Sequence, residues 1–151
     1  MADQHKKEEI LAVLQAEQTA TVATHGGGGE IRTRKMHYAV DDDFSVYLSS
    51  MKDDPKTVQI TYHPTVSLLI YNEGESLNRS NEIEISGKAV KVKDHKEREL
   101  ALSKLKEVSP VAGYLVENDN ADILEVIKVI PGTIEYRNFG EITRGVPPTC
   151  A

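Results

Sequence analysis

Apolar and polar residues fall at a period of two in several segments of this chain, and at helical spacing at the start, near the middle and in the second half. Between about Lys6 and Glu17, Ile10, Leu11, Val13 and Leu14 fall at helical spacing, which predicts an amphipathic opening helix. The stretch Thr19–Thr24 is small and β-rich, and reads as a strand against which something packs closely. His25 and the glycines from Gly26 to Gly29 follow. A phosphate-cradling loop would need a helix directly after its glycines, whereas Glu30–Val40 reads as another strand, so the glycines predict a flexible hairpin loop.

The clearest signals lie between Phe44 and Tyr71. Phe44, Val46 and Leu48 share one face of a strand, and Val66–Tyr71 reads as a second, more deeply buried one. Between them, Asp54-Pro55 pairs an N-cap residue with proline at the first helical position, and His63-Pro64 is a stop signal, so a short helix is predicted. After a polar loop ending near Asn81, a long strand runs from Glu82 to Lys93. Ile83 and Ile85 take one phase there and Val90 and Val92 the other, so the pattern slips near Gly87 and predicts a bulge or sharp bend.

Asp94 with Glu97 forms a capping box for a helix that carries Leu100, Ala101, Leu102 and Leu105 and stops before Ser109-Pro110. Val111–Val116 fits either a helical turn or a strand, and residues 117–122 form a polar loop. Two strands, Ile123–Ile130 and Thr133–Phe139, flank Pro131-Gly132, the first with apolar residues on both sides. The tail from Glu141 has no apolar period and is either loose or laid over a partner.

About six strands, a slip at a glycine and three helices predict a mainly β fold with peripheral helices, a small closed or split antiparallel β-barrel. Length permits one domain, here residues 1–140, with 141–151 as a C-terminal tail. A net charge of -6 argues against a general nucleic-acid or anionic-membrane binder, while leaving room for a local basic pocket. The opening residues have the pattern of neither a signal peptide nor a membrane-spanning helix, and the lone Cys150 makes a cytoplasmic location the default. His5, His25, His37, His63 and His95 have no metal-ligand spacing, and no catalytic triad is legible.

The best candidate for an anion site is the strand-to-helix junction that gathers Ser49, Ser50, Lys52 and Lys56. A helix start there would present free backbone N–H groups and the positive end of its dipole, which suits a phosphate. The arginine-bearing strand admits two readings. Alternation puts Arg32, Arg34, Met36, Tyr38 and Val40 on one face and Ile31, Thr33, Lys35 and His37 on the other. The arginines belong either to a solvated edge strand or, for one of them, to a cleft where its planar fork binds an anion.

Taken in order, I-R-T-R-K-M, V-Y-L-S-S-M-K-D-D-P-K-T-V-Q-I, Y-H-P-T-V-S-L-L-I and I-E-I-S-G-K-A-V-K-V resemble the pyridoxamine 5'-phosphate oxidase-like FMN-binding split barrel, especially its short general-stress-protein-like members. The resemblance covers roughly residues 6 to 137 and rests on the order and spacing of these motifs. It implies a homodimer with two flavin mononucleotide (FMN) sites at the subunit interface, each built from both chains. By position, Arg34 matches the family arginine, and the backbone of Lys35, Met36 and His37 would run beside the flavin ring. Ser49, Ser50 and Lys56 match the residues that hold the flavin phosphate. Pro55 stands where the oxidases carry an arginine, which implies weaker phosphate affinity, and Glu82 stands in place of a glutamine that reaches the ring.

The oxidases end in a tryptophan- and arginine-containing segment, whereas this chain has no tryptophan, so pyridoxamine phosphate oxidation is not expected. The resemblance therefore implies a flavin-dependent oxidoreductase acting on an unidentified small molecule. The alternatives are a flavin-storing or flavin-sensing module without turnover, and a haem-binding or deazaflavin-using relative.

Overall fold

The computed structural model describes residues 3–151, so the first two residues of the predicted domain and of its opening stretch lie outside it. Helix α1 (Gln4–Ala16) is capped by Asp3, whose side chain accepts from the Lys6 N–H, and buries Ile10 and Leu14. A hairpin of β1 (Thr19–His25) and β2 (Ile31–His37) follows, joined through the glycine loop as predicted. Strands β3 (Ala39–Val40) and β4 (Val46–Met51) then lead into α2 (Pro55–Tyr62), β5 (Thr65–Asn72) and β6 (Asn81–Lys91). Helices α3 (His95–Val108) and α4 (Pro110–Glu117), strand β7 (Leu124–Asn138), the short α5 (Phe139–Ile142) and β8 (Thr149–Cys150) complete the chain.

All pairings are antiparallel, in the order β2-β1-β5-β6-β7-β4-β3, with β8 beside β7. The sheet curls until its two ends approach, and β2 meets β4 side by side without ladder pairing. This makes a split β-barrel, as the alternation predicts. Its interior holds Val22, Met36, Val46, Leu48, Leu68, Ile85 and Ile127, with Ile10 and Leu14 of α1 and Ile60 of α2 packed against them. A second core lies outside the barrel wall. There Tyr47, Leu124 and Val126, which point away from the interior, are covered by Ala101, Leu102, Leu105, Ala112 and Leu115 of α3 and α4. Strands β4 and β7 thus bury apolar residues on both faces, which accounts for apolar residues in both phases of Val46–Leu48 and of Leu124–Val129.

Several details depart from the sequence reading. The predicted strand Glu30–Val40 breaks at Tyr38, because that residue is drawn toward α1: its N–H donates to the Gln18 carbonyl at 3.0 Å and its hydroxyl to the Leu14 carbonyl. Phe44 lies outside β4, in the tight β3–β4 turn, with a φ of 68°. The β5 segment alternates instead of being buried throughout, with Val66, Leu68 and Ile70 inside and Leu69 and Tyr71 exposed. Val111–Val116 belongs to a helix, started by Ser109 as cap and Pro110 at the first position. The capping box is half formed: Asp94 accepts from the Glu97 N–H, but the Glu97 carboxylate turns to Tyr47 and Lys128 instead.

The irregularity expected at Gly87 is present, but on different terms. Ser86 pairs with Thr133 and Gly87 with Pro131, so the extra residue is Gly132, on β7. The β6 phase therefore never changes, and Ile83, Ile85 and Ala89 all face the interior. The switch falls on β7, whose inward residues are Ile127 and Val129 before the bulge and Ile134 and Tyr136 after it. Pro131-Gly132 is consequently no turn between two strands; both residues are absorbed in one continuous strand of 15 residues, at the point where a ladder tolerates them. The tail is tied down at two points. Thr149 and Cys150 pair with Tyr136 and Glu135, and Glu141 binds Lys6 of α1 at 2.6 Å.

Candidate functional site

The split between β2 and β4 opens into a cleft of about 220 Å³. On one side run Lys35, Met36 and His37 of β2; on the other, Ser49, Ser50 and Met51 end β4. Asp54 and Lys56 close it at the start of α2. The chain reaches this arrangement through local bonds. The Asp54 N–H donates to the Met51 carbonyl at 3.1 Å, and the fully buried Thr57 donates its hydroxyl to the same carbonyl at 2.9 Å, fixing α2 to the end of β4.

Of the residues read from sequence, Lys35, Met36, His37, Ser49, Ser50 and Lys56 thus line one cleft. Two do not. Arg34 stands beside it on β2, half-buried, and donates to Thr24 Oγ1 at 3.0 Å. Glu82 opens β6, opposite Tyr71 and Arg137, and lies 4.0 Å from the Arg137 guanidinium. Sequence reasoning missed Ser109, Val111 and Leu124, which complete the lining. A signal for the first two existed, since Ser109-Pro110 repeats the cap-and-proline pattern of Asp54-Pro55.

Ser50 is 6% exposed, and its Oγ has no hydrogen-bond partner among the described residues. A buried hydroxyl without a partner costs about 1–3 kcal/mol, and this one borders the cleft, where a ligand oxygen could satisfy it.

The electrostatics differ from the sequence reading at one point. The α2 start does not offer free amides: Pro55 has none, the Lys56 N–H donates to Asp54 Oδ1 at 3.0 Å, and the Thr57 N–H donates to the Asp54 carbonyl at 2.9 Å. Lys56 Nζ lies 2.9 Å from Asp54 Oδ2. Burial pushes the Asp54 carboxyl up, but the Lys56 ammonium and amide and the charge of Arg34 outweigh it and hold the group below its ordinary value. Burial also lowers Arg34 from its ordinary value, with Asp54 acting in the opposite direction. Asp54 is therefore ion-paired with Lys56 at the mouth of the cleft, while Arg34, bonded to Thr24, acts on it only through its charge. Among the described residues no three His, Cys, Asp or Glu side chains gather as metal ligands would, and no helix is long and apolar enough to cross a membrane.

No curated protein matches this chain. Solved structures similar to it include a candidate pyridoxamine 5'-phosphate oxidase from Listeria innocua, at 25% identity and a TM-score of 0.70, covering 88% of this chain and 98% of that one. An FAD-binding protein from Mesorhizobium loti is similar at 17% identity and a TM-score of 0.65, covering 85% of this chain and 90% of that one. A heme-binding protein from Mycobacterium smegmatis reaches a TM-score of 0.76 at 14% identity, covering 97% of this chain and 63% of its own. The family model described as pyridoxamine 5'-phosphate oxidase matches residues 7–137. With that match over most of its length and a split barrel to carry it, this chain belongs to the pyridoxamine 5'-phosphate oxidase family.

Proposed function

We propose that this protein is a cytoplasmic homodimer that binds flavin mononucleotide in the β2–β4 cleft and acts as a flavin-dependent oxidoreductase on a small molecule other than pyridoxamine phosphate. The observation that carries the reading is the convergence of Lys35–His37, Ser49, Ser50 and Lys56 on one cleft, with the Ser50 hydroxyl buried there and unpartnered among the described residues. The residues fit the group. Lys56 supplies a point charge and Arg34, beside it, a planar fork, while Ser49 and Ser50 supply neutral donors for phosphate oxygens. The β2 backbone at Lys35–His37 offers an extended edge for the ring, because β2 ends the sheet and has no ladder partner on its β4 side. Bound flavin would supply hydride or electron transfer, and the chain would supply orientation and a wall against water.

A single chain does not enclose such a ligand. Val111 is 61% exposed and Met51 42% exposed at the rim, a state that a second copy would relieve.

The test is the absorbance spectrum and mass of whatever denaturation releases from the purified protein. Oxidised-flavin absorbance and the mass of FMN support the proposal. A Soret band would point to haem, FAD mass to a dinucleotide site, and a deazaflavin mass to that cofactor; each would replace the FMN reading.

A further inference from the structure

The cleft contains its own anion. Asp54 lines it, holds Lys56 at 2.9 Å through Oδ2, and carries a charge that Arg34 feels. The same carboxylate, through Oδ1, occupies the one first-turn amide of α2 that a ligand could otherwise use. Both the ammonium and the amide through which a phosphate would be expected to bind are thus already engaged by Asp54. Resting on the flavin reading above, we propose that Asp54 is an affinity- and specificity-determining residue: its carboxylate competes with the ligand phosphate for Lys56.

The physical consequences are specific. The Lys56–Asp54 pair is neutral as a unit, so a ligand that takes Lys56 must displace a carboxylate from it. A singly charged ligand gains little by displacing one carboxylate with another of equal charge. A phosphomonoester carries a charge of about -1.5 to -2 near pH 7 and has three acceptor oxygens, so it can outbid a carboxylate for Lys56. Asp54 itself stays in place, since Oδ1 caps α2 while Oδ2 loses the lysine. What remains after exchange is a carboxylate near a dianion, and that repulsion lowers the affinity that the two cations would otherwise give.

Asparagine keeps the cap and removes the charge, because its side-chain oxygen still accepts from the Lys56 N–H. Asp54→Asn and, as a second uncharged cap, Asp54→Ser are titrated with FMN and with riboflavin alongside the unmodified protein, after thermal unfolding has verified that each variant folds. The expected result is FMN binding tighter on the order of tenfold in both variants, with riboflavin, which has no phosphate, changing less than about twofold. Unchanged or weaker FMN binding in both folded variants, with FMN binding by the unmodified protein intact, overturns this inference and leaves the flavin reading standing. An equal gain for riboflavin overturns it as well. Failure of all three proteins to bind either flavin overturns the flavin reading and this inference with it.

Discussion

Gly87 faces the backbone of Ile130 so closely that a Cβ built on it would overlap the Ile130 carbonyl oxygen. The contact sits where the β6–β7 register shifts, so the glycine is required by close approach and not by a left-handed conformation. Backbone cannot rotate away as a side chain can. Gly87→Ala should therefore destabilise the fold by about 1–3 kcal/mol, read by chemical or thermal unfolding. Gly132→Ala is the comparison. Its Cβ would stand 3.3 Å from the Ser86 carbonyl, a tight but bearable distance, so it should cost less. An equal or larger loss at Gly132 would contradict this account of the bulge.

A second prediction concerns acid. Glu97 accepts from Lys128 at 2.9 Å and from the Tyr47 hydroxyl at 2.8 Å, joining α3 to β7 and β4. Those two bonds hold its carboxyl below its ordinary value of 4.5. A carboxyl depressed by folding contributes stability that is complete above its unfolded value and is lost as pH falls through the folded one. Unfolding measured from pH 7 down to pH 3 should lose this contribution below about 4.5, and Glu97→Gln should remove that part of the acid dependence. At pH 7 the same substitution should cost about 1 kcal/mol, in keeping with a partly exposed ion pair. An acid limb unchanged by Glu97→Gln would show that the pair contributes nothing.

Assembly yields a third expectation. Leu69 and Tyr71 on β5, Val111 and Tyr114 on α4, and Tyr62 on α2 are exposed on a single chain, and a two-fold partner would cover part of this surface. Sedimentation or light scattering at micromolar concentration should give the mass of two chains. A monomer at that concentration contradicts the dimer and, with it, a site shared between copies.

Much of this was legible in the residues, for identifiable reasons. Cap-and-proline pairs mark helix starts almost irrespective of tertiary context, and Asp54-Pro55 placed α2 correctly. β-rich composition placed β1, an apolar run placed β5, and alternation at Ile83 and Ile85 placed the first half of β6. What failed was long-range. Nothing near Tyr38 in sequence reveals that α1 will take its hydroxyl and N–H, and nothing near Pro131 reveals that a continuous partner strand will carry the ladder past it. The phase slip was assigned to β6 because Val90 is apolar, yet Val90 is 41% exposed and Ala89 is the inward residue. At the site, Ser49, Ser50 and Lys56 were legible as neighbours in sequence, and their meeting with Lys35–His37 follows from curling of the sheet. The engagement of the α2 amides by Asp54 was not, since an N-cap residue and an anion-binding helix start leave the same trace in sequence.

The central claim is that the cleft holds the phosphate of FMN, and the most direct measurement is the affinity of FMN and of riboflavin for Arg34→Ala, Lys56→Ala and, as control, the exposed Arg32→Ala. Arg34→Ala and Lys56→Ala should each weaken FMN by about 1.5–3 kcal/mol, the range for a charge-assisted hydrogen bond, with riboflavin nearly insensitive and Arg32→Ala close to the unmodified protein. Equal losses for FMN and riboflavin, or FMN affinity unchanged in both variants, would contradict the assignment of the phosphate to this end of the cleft.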